Sequence, residues 1–280
     1  MTMMLNDDDA ENIGDDPDPA EEHARYSDDN SGKTGKPRSL PTWLMHEFDN
    51  KVKESANRGV DGLPPLYKHN RTFWFPQHSS FFILQEDVIS PQKLYNPRFF
   101  LWDPATLCHG GIPCPVCKTR LYRHDHIPHP RRCIDLHDTF WIIGYRYRCP
   151  ECVHPVSQKH NVTFRSWDSR ILAALPRSLA LEFPARLSHR SAISWPAFVF
   201  MRSCFQNGMG AKQFSDALRV QHLQSYDELR LQYLRSLISR KGLASWRSNK
   251  FKAFLPFQDT SLDGYNGFTP SSQWLRDMYD

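Results

Sequence analysis

Apolar side chains recur at helical spacing between residues 195 and 241, in three runs separated by turn or capping signals. The runs cover 195–207, 211–222 and 225 to about 241, and their apolar positions are Phe198, Met201, Phe205, Phe214, Leu218, Val220, Tyr226, Leu229, Tyr233 and Leu237. A glycine-containing turn at 207–210 ends the first run, and the capping-box pattern Ser-Tyr-Asp-Glu begins the third at Ser225. The pattern predicts three helices in a helix-turn-helix-like arrangement. Because any three-helix bundle shares it, a bundle without a DNA-reading helix is the alternative.

Two runs rich in β-branched and aromatic residues, 132–137 and 140–148, predict a pair of strands. The turn residues His137, Asp138 and Thr139 lie where the runs meet, so the strands are expected to form a hairpin. Near the end of the second run, Tyr145 and Tyr147 alternate with Arg146 and Arg148. This alternation predicts tyrosines on one face of the strand and arginines on the other.

Residues 40–106 carry short aromatic runs punctuated by proline, which excludes long helices there. A short amphipathic helix is expected at 41–48. Aromatic side chains bury a large area, so we expect these runs to wrap around the strands as part of the core. The alternative is that they stack on nucleic-acid bases, with Lys68, Arg71 and Arg98 between them.

Two Cys-x-x-Cys pairs, Cys114 with Cys117 and Cys149 with Cys152, are separated by thirty-one residues. Four thiolates at about 2.3 Å suit tetrahedral zinc and leave no open position, so the pairs predict one structural Zn²⁺. A redox dithiol is the first alternative, but no βαβ context surrounds either pair. Disulfides are the second; they need an oxidising compartment, and the N-terminus has no signal-peptide pattern.

Other candidate ligands lie near these pairs. His124 and His126 raise the alternative of a second metal site, although their partners lack a tight knuckle spacing. Cys133 falls in a predicted strand and is expected to be a buried thiol.

Charge is distributed unevenly. The chain has 280 residues with 35 basic and 31 acidic side chains, for a net charge of +4. Residues 1–32 contain eleven acidic and one basic side chain, which leaves 34 basic and 20 acidic in residues 33–280. The excess of basic side chains in residues 33–280 suggests a polyanionic partner. The alternative is that these charges only form a solvated surface. No apolar run reaches the eighteen or so residues that a membrane span needs.

The predicted fold class is α+β. A zinc-ribbon β-hairpin with aromatic and proline-rich wrapping segments is followed by a three-helix, helix-turn-helix-like part. The expected divisions are a disordered acidic tail (1–39), a wrapping segment (40–106), the zinc ribbon and connector (107–190), a helical bundle (191–241) and an irregular C-terminal tail (242–280).

The cysteine region resembles the N-terminal zinc ribbon of transposases. The resemblance rests on Cys-Pro-Val-Cys at 114–117, Arg-Arg-Cys-Ile-Asp-Leu at 131–136 and Tyr-Arg-Tyr-Arg-Cys-Pro-Glu-Cys at 145–152. The wider range 95–240 is similar to an uncharacterised cysteine-rich domain of fungal transposon-derived proteins, related to the Kyakuja-Dileera-Zisupton-type transposases. The stretches that match this domain are 97–104, 167–172, 183–185 and 205–210.

The resemblance implies that Cys114, Cys117, Cys149 and Cys152 are the zinc ligands and that DNA-binding elements accompany the ribbon. In longer relatives an RNase H-like catalytic core follows. This chain ends at Asp280, about where such a core would start, so we expect no catalytic residues. Four acids, Asp259, Asp263, Asp277 and Asp280, crowd one irregular tail and do not form the widely spaced set that a two-metal centre needs.

Three functions remain open. The first is a nuclear, zinc-stabilised module that binds nucleic acid, with DNA as the expected partner. The arginines expected to contact phosphates are Arg131, Arg132, Arg146, Arg148, Arg165 and Arg170. The second is a protein–protein module that binds a partner protein or a second copy of itself. Neither function involves a membrane. The third is a truncated transposase or nuclease.

Overall fold

One long strand organises the β-structure. The computed structural model places residues 139–148, the most continuous aromatic and β-branched run in this region, in a ten-residue strand that is buried along nearly its whole length. The structure describes residues 40–86, 89–153, 162–188, 191–246, 253–257 and 269–280, with the backbone alone for 240–246. The predicted acidic tail, 1–39, lies outside the described residues.

The described strands are β1 (Arg98–Trp102), β2 (Tyr122–His126), β3 (Arg131–Ile134), β4 (Thr139–Arg148), β5 (Thr163–Arg165), β6 (Ala185–Leu187) and β7 (Ala192–Ser194). The described α-helices are α1 (Thr42–Ala56), α2 (Ser80–Leu84), α3 (Pro91–Tyr95), α4 (Ser169–Ala174), α5 (Arg177–Ala180), α6 (Trp195–Gln206), α7 (Ala211–Trp246) and α8 (Ser272–Tyr279). A π-helical turn, Leu66–Asn70, and a 3₁₀ turn, Pro104–Thr106, complete the set.

Strand β4 belongs to two groups of strands. Its first half pairs in parallel with β1 and antiparallel with β3, and β3 continues the sheet through β7 to β6. Its second half pairs antiparallel with β2 and β5. The predicted hairpin is therefore present, because β3 and β4 pair from Arg131 opposite Ile142 to Ile134 opposite Thr139. The parallel pairing of β1 with β4 was not predicted.

Gly144 lies where β4 passes from one group of strands to the other. A Cβ at this position would lie 2.6 Å from Cε3 of Trp167 and 2.7 Å from Oγ of Ser166. The same Ser166 hydroxyl accepts a hydrogen bond from the Tyr145 amide at 3.1 Å. Glycine is required here because the chain that follows β5 packs directly on the strand backbone.

The aromatic residues before and within β1 pack into the main core. Phe75, Phe99 and Trp102 are almost fully buried in the same cluster as β4. The ring of Trp74 lies 4.9 Å from that of Phe140. These side chains therefore act as core rather than as a stacking surface, although Phe81 and Phe82 are 61% and 69% exposed.

The helical region differs from its prediction. Helix α6 matches the first predicted helix, and the Ser194 hydroxyl caps it by accepting from the Ala197 amide at 3.1 Å. The predicted second and third helices are wrong as separate elements, since α7 runs without a break from Ala211 to Trp246. Ser225 does not cap a new helix: its hydroxyl donates to the Gln221 carbonyl at 3.2 Å, one turn earlier in α7. The described region thus contains no turn between two short helices at 222–225.

The C-terminal segment is more regular than expected. Within 242–280, helix α8 buries Trp274, Leu275 and Met278 in one cluster with Phe214 and Leu218 of α7. Among the described residues, no helix is both long and apolar enough to cross a membrane.

Candidate metal centre and the adjacent basic face

The first Cys-x-x-Cys pair lies in a tight turn that local hydrogen bonds close. The Cys114 amide donates to the Thr119 carbonyl at 2.8 Å, and the Lys118 amide donates to the Cys114 carbonyl at 3.1 Å. Lys118 adopts a left-handed conformation with φ of 66°. This turn directs both sulfurs of the pair to the same side.

The second pair follows directly from the end of β4. The Cys149 amide donates to the Val162 carbonyl at 2.9 Å, which fixes the pair to the strand that becomes β5. The Cys152 amide lies 3.4 Å from the Cys149 sulfur and donates to it. Strand β4 therefore places Cys149 next to the first cysteine pair. The position of the second pair thus depends on the fold of the whole sheet.

All four sulfurs converge. The Cys114 and Cys152 sulfurs are 3.7 Å apart, those of Cys117 and Cys149 are 3.4 Å apart, and all four lie within 4.8 Å of one another. A tetrahedral ion with sulfurs at about 2.3 Å would hold them about 3.8 Å from each other. Disulfides require about 2.05 Å, and all seven cysteines are free. The cluster can hold one metal ion.

The protonation of the sulfurs is uneven. Hydrogen bonds from Thr119 lower the pKa of Cys117, which is exposed, to about 6. Loss of hydration raises the pKa of Cys149 and Cys152, and neighbouring sulfurs add to this. A crowded set of thiols resists multiple ionisation without a cation at its centre. A divalent ion would remove this cost by replacing the protons.

The alternative of a second metal site at His124 and His126 finds no third ligand among the described residues. Among the described residues, only the four cysteines form a group of three or more potential ligands within reach of one ion. His124 is exposed, and the ring of His126 lies at a tilt to that of Phe48, with ring centroids 6.2 Å apart. Cys133 is fully buried, and loss of hydration raises the pKa of its thiol, as expected for a packed side chain.

A basic face lies beside the metal centre, on the three-stranded group β2, β4 and β5. Tyr145 and Tyr147 are buried, Arg146 is half-buried and Arg148 is exposed, so the predicted alternation is correct. Arg146 lies opposite Arg165 of β5, and Arg148 lies opposite Tyr122 of β2. Residues directly opposite in an antiparallel pair share a face. The basic face therefore consists of Tyr122, Arg146, Arg148 and Arg165.

Arg131 and Arg132 are not on this face, and their prediction as phosphate contacts is wrong in this structure. They are only 7% and 4% exposed because β3 is an interior strand between β4 and β7. Arg131 donates to the carbonyls of Ser188 and Ser191, the latter at 3.2 Å. Both side chains are therefore part of the packing.

Arg170 is exposed, but its guanidinium is engaged. It donates to Asp168 through Nη2 at 2.9 Å and lies over the ring of Phe164, 5.2 Å from its centroid. Phe164 is buried and occupies the opposite face of β5 from Arg165. Arg170 is thus separate from the basic face.

A family model described as Domain of unknown function (DUF6729) matches residues 60–280. The chain belongs to this family. No curated protein and no solved structure matches the chain. The DUF6729 match includes all described strands and both cysteine pairs, whereas α1 precedes it.

A buried polar group that no sequence pattern indicated joins this domain to Arg58, which precedes the matched residues. Asp103, which is fully buried, accepts hydrogen bonds from Arg58 at 2.7 Å, Arg123 at 3.3 Å and Tyr147 at 2.8 Å. Arg58 and Arg123 also lie over the ring of Tyr145, at 5.3 and 5.4 Å from its centroid. The three partners of Asp103 are distant in sequence and have no shared spacing, so no local pattern marks them.

A second polar group fixes the β3–β4 turn. Arg98 donates to Asp138 at 2.8 Å and to Asp135 at 2.6 Å, and Ser194 donates to Asp135 at 2.6 Å. Asp135 belongs to the motif at 131–136 that resembles transposases. Within the DUF6729 fold its carboxylate joins β1, β3 and β7, which is a structural role.

Proposed function

We propose that this chain is a non-catalytic nucleic-acid-binding module of transposase origin, stabilised by one structural zinc ion. The observation that carries the proposal is the adjacency of the four-cysteine cluster to the basic face. Cys149 directly follows Arg148 in the chain, so an ion that fixes the second cysteine pair also fixes the end of the strand that presents the arginines. Binding surfaces built on rigid strands hold their side chains in place.

The donor set favours zinc. Four soft thiolates in a compact cluster suit Zn²⁺, which has no preference for square or octahedral geometry. With four protein ligands the ion would have no open position for water or substrate. Its role in the proposal is therefore to stabilise the fold, and binding would release thiol protons.

The basic face suits a nucleic-acid strand. Arg146 and Arg148 project from one strand face about 6.6 Å apart, since each residue advances the strand by about 3.3 Å. Arg165 extends the row across β5. Tyr122 is 59% exposed next to Arg148 and offers an aromatic ring for base stacking. Guanidinium groups supply the charge-assisted contacts to phosphate.

The transposase origin and a nuclear location rest on the resemblance of the cysteine pairs and their flanking strands. We infer the absence of catalysis from the lack of an acid constellation in the sequence. Magnesium-dependent cleavage of DNA by the purified chain would contradict that inference.

The proposal is tested by metal content together with a salt-series binding assay. The purified full chain should contain one zinc per molecule and bind duplex DNA with an affinity that falls steeply with salt. Parallel titrations with single-stranded DNA and with RNA of the same sequence identify the preferred nucleic acid. A zinc-loaded, folded chain that binds none of the three would contradict the nucleic-acid proposal and leave the metal assignment intact.

A further inference from the structure

Helix α7 has two apolar stripes, and within the part of the chain that the structure describes only one of them is buried. The inner stripe contains Tyr226, Tyr233 and Leu237, which are 4%, 2% and 7% exposed. Tyr226 and Tyr233 pack against Phe254, with ring centroids 5.6 and 5.8 Å away. Ser80 and Ser236 provide hydrogen bonds between α2 and α7. The inner stripe thus accounts for the attachment of α7 to the domain.

The outer stripe contains Leu231, Leu234 and Ile238, which are 51%, 36% and 55% exposed. Their spacing of three and then four residues is that of a coiled-coil seam. With Leu231 at position a, Leu234 occupies d and Ile238 the next a. Aliphatic residues at these positions on a solvent-facing helix are what a second helix requires.

Charges beside the outer stripe distinguish between the two ways of pairing α7 with itself. Glu228 and Arg235, both exposed, occupy successive e positions, and Arg230 occupies a g position. A parallel pair would bring Arg230 of one copy against Arg235 of the other, which is repulsive. An antiparallel pair brings e positions together, and with the two-fold axis between Leu231 and Leu234 it places Glu228 opposite Arg235 of the second copy. Symmetry forms this favourable ion pair twice.

We propose that the outer stripe of α7 binds a second copy of this chain as an antiparallel helix pair. In this pair, Leu231 of each copy packs against Leu234 of the other, and the Glu228–Arg235 contacts flank the two apolar layers. The antiparallel orientation also opposes the helix dipoles favourably. The contact is independent of the basic face and of any nucleic acid.

In this register Ile238 lies opposite Asp227 of the other copy, so the apolar layers contain only two leucines per copy. The buried area is therefore far less than the roughly 800 Å² per partner of a standard interface. The dimer is therefore weak and reversible. Sedimentation of the zinc-loaded full chain from about 10 to about 500 µM, without nucleic acid, should show a monomer–dimer equilibrium, because interfaces below the standard size tend to be transient.

One variant and its matched control test the apolar layer. Leu234→Glu should weaken dimerisation at least about tenfold, since it places a charge in the apolar layer. Ser203→Glu introduces the same charge at an exposed position of α6, away from the seam, and should leave the equilibrium unchanged. Both substitutions are on the surface, so circular dichroism of the two should match that of the parent chain.

A charge exchange tests the orientation. Glu228→Arg and Arg235→Glu should each weaken the dimer severalfold, and the double variant should restore it, because the exchanged pair is again complementary. A chain that stays monomeric throughout the concentration range would overturn the proposal. So would a dimer that Leu234→Glu leaves intact, or single charge variants whose combination gives no recovery.

Discussion

Tyr147 donates a hydrogen bond to the fully buried carboxylate of Asp103 at 2.8 Å. Tyr147 lies two residues before Cys149 on β4, and Asp103 directly follows β1. The same carboxylate forms salt bridges with Arg58 and Arg123. This single acid therefore joins the chain after α1, the end of β1, β2 and the half of β4 that leads to the metal centre.

Replacing Asp103 by alanine should lower the free energy of unfolding by about 3–5 kcal/mol, because it leaves Arg58 and Tyr147 buried without their acceptor. Urea denaturation of the zinc-loaded chain measures the change. Tyr147→Phe, which removes one hydrogen bond and keeps the ring, should cost only about 1–2 kcal/mol. Equal effects of the two substitutions would contradict this account of the group.

Gly144→Ala should destabilise the chain by about 1–3 kcal/mol, because the added methyl overlaps Trp167 and Ser166 and forces the strands apart. Gly110→Ala is the matched control, since a Cβ there meets nothing within 4 Å and Gly110 has no positive φ. Its expected effect is within about 0.5 kcal/mol. Thermal and urea unfolding of both variants measure the difference. A Gly144→Ala variant as stable as the parent chain would contradict the close packing of Trp167 and Ser166 on β4.

His222 should make stability depend on pH. Its ring is 2% exposed, Nε2 donates to the Asp135 carbonyl at 2.8 Å, and burial lowers the pKa of the imidazole despite Asp135 and Asp138 nearby. His137 lowers the pKa further. A histidine with a lowered folded pKa is stabilising when neutral, so stability should fall as pH decreases below the ordinary value of about 6.5.

The His222→Gln variant isolates this contribution, because glutamine keeps an N–H donor and does not titrate. Between pH 6.5 and 5.5 the parent chain should lose up to about 1.4 kcal/mol per pH unit more than the variant. Urea midpoints at several pH values give the two slopes. Equal slopes for the two chains would contradict the role of His222. The titration of Asp138 and of the thiols cancels in the comparison, because both chains retain those groups.

The hairpin and the cysteine pairs were predictable because their signals are local: a β-rich run, a turn, and two close pairs of one residue type. The burial of Arg131 and Arg132 was not predictable, because a charged side chain usually indicates exposure. Strand β7, which covers one side of β3, is also about sixty residues further along the chain. The parallel pairing of β1 with β4 was not predictable for the same reason. Such long-range neighbours leave no trace in a single sequence.

The break expected in α7 was wrong for a different reason. The sequence from Ser225 to Glu228 fits a capping box, yet no glycine or proline lies between Ala211 and Lys241. With no residue to end the helix and with Tyr226, Tyr233 and Leu237 packed on one side, the helix continues. Because α7 is continuous, Leu231, Leu234 and Ile238 form one outer stripe, which the predicted division into short helices did not indicate.

The basic face predicts specific changes in salt dependence. Arg146→Gln, Arg148→Gln and Arg165→Gln should each weaken DNA binding and reduce the log–log salt slope by about 0.9 on duplex DNA or about 0.7 on a single strand. Arg276→Gln on α8 is the control, because its side chain is exposed and lies on a different element. A slope unchanged by all three substitutions would remove these arginines from the contact surface.

The most direct test of the account is elemental analysis of the purified chain, combined with chelation and two cysteine variants. We expect one zinc per chain, loss of that zinc and a lower Tm in Cys149→Ser, and a similar loss when a strong chelator is added. Cys204→Ser, outside the cluster on α6, should keep its zinc and its stability. A chain that is folded without metal, with circular dichroism and Tm unaffected by the chelator and by Cys149→Ser, would contradict the central claim.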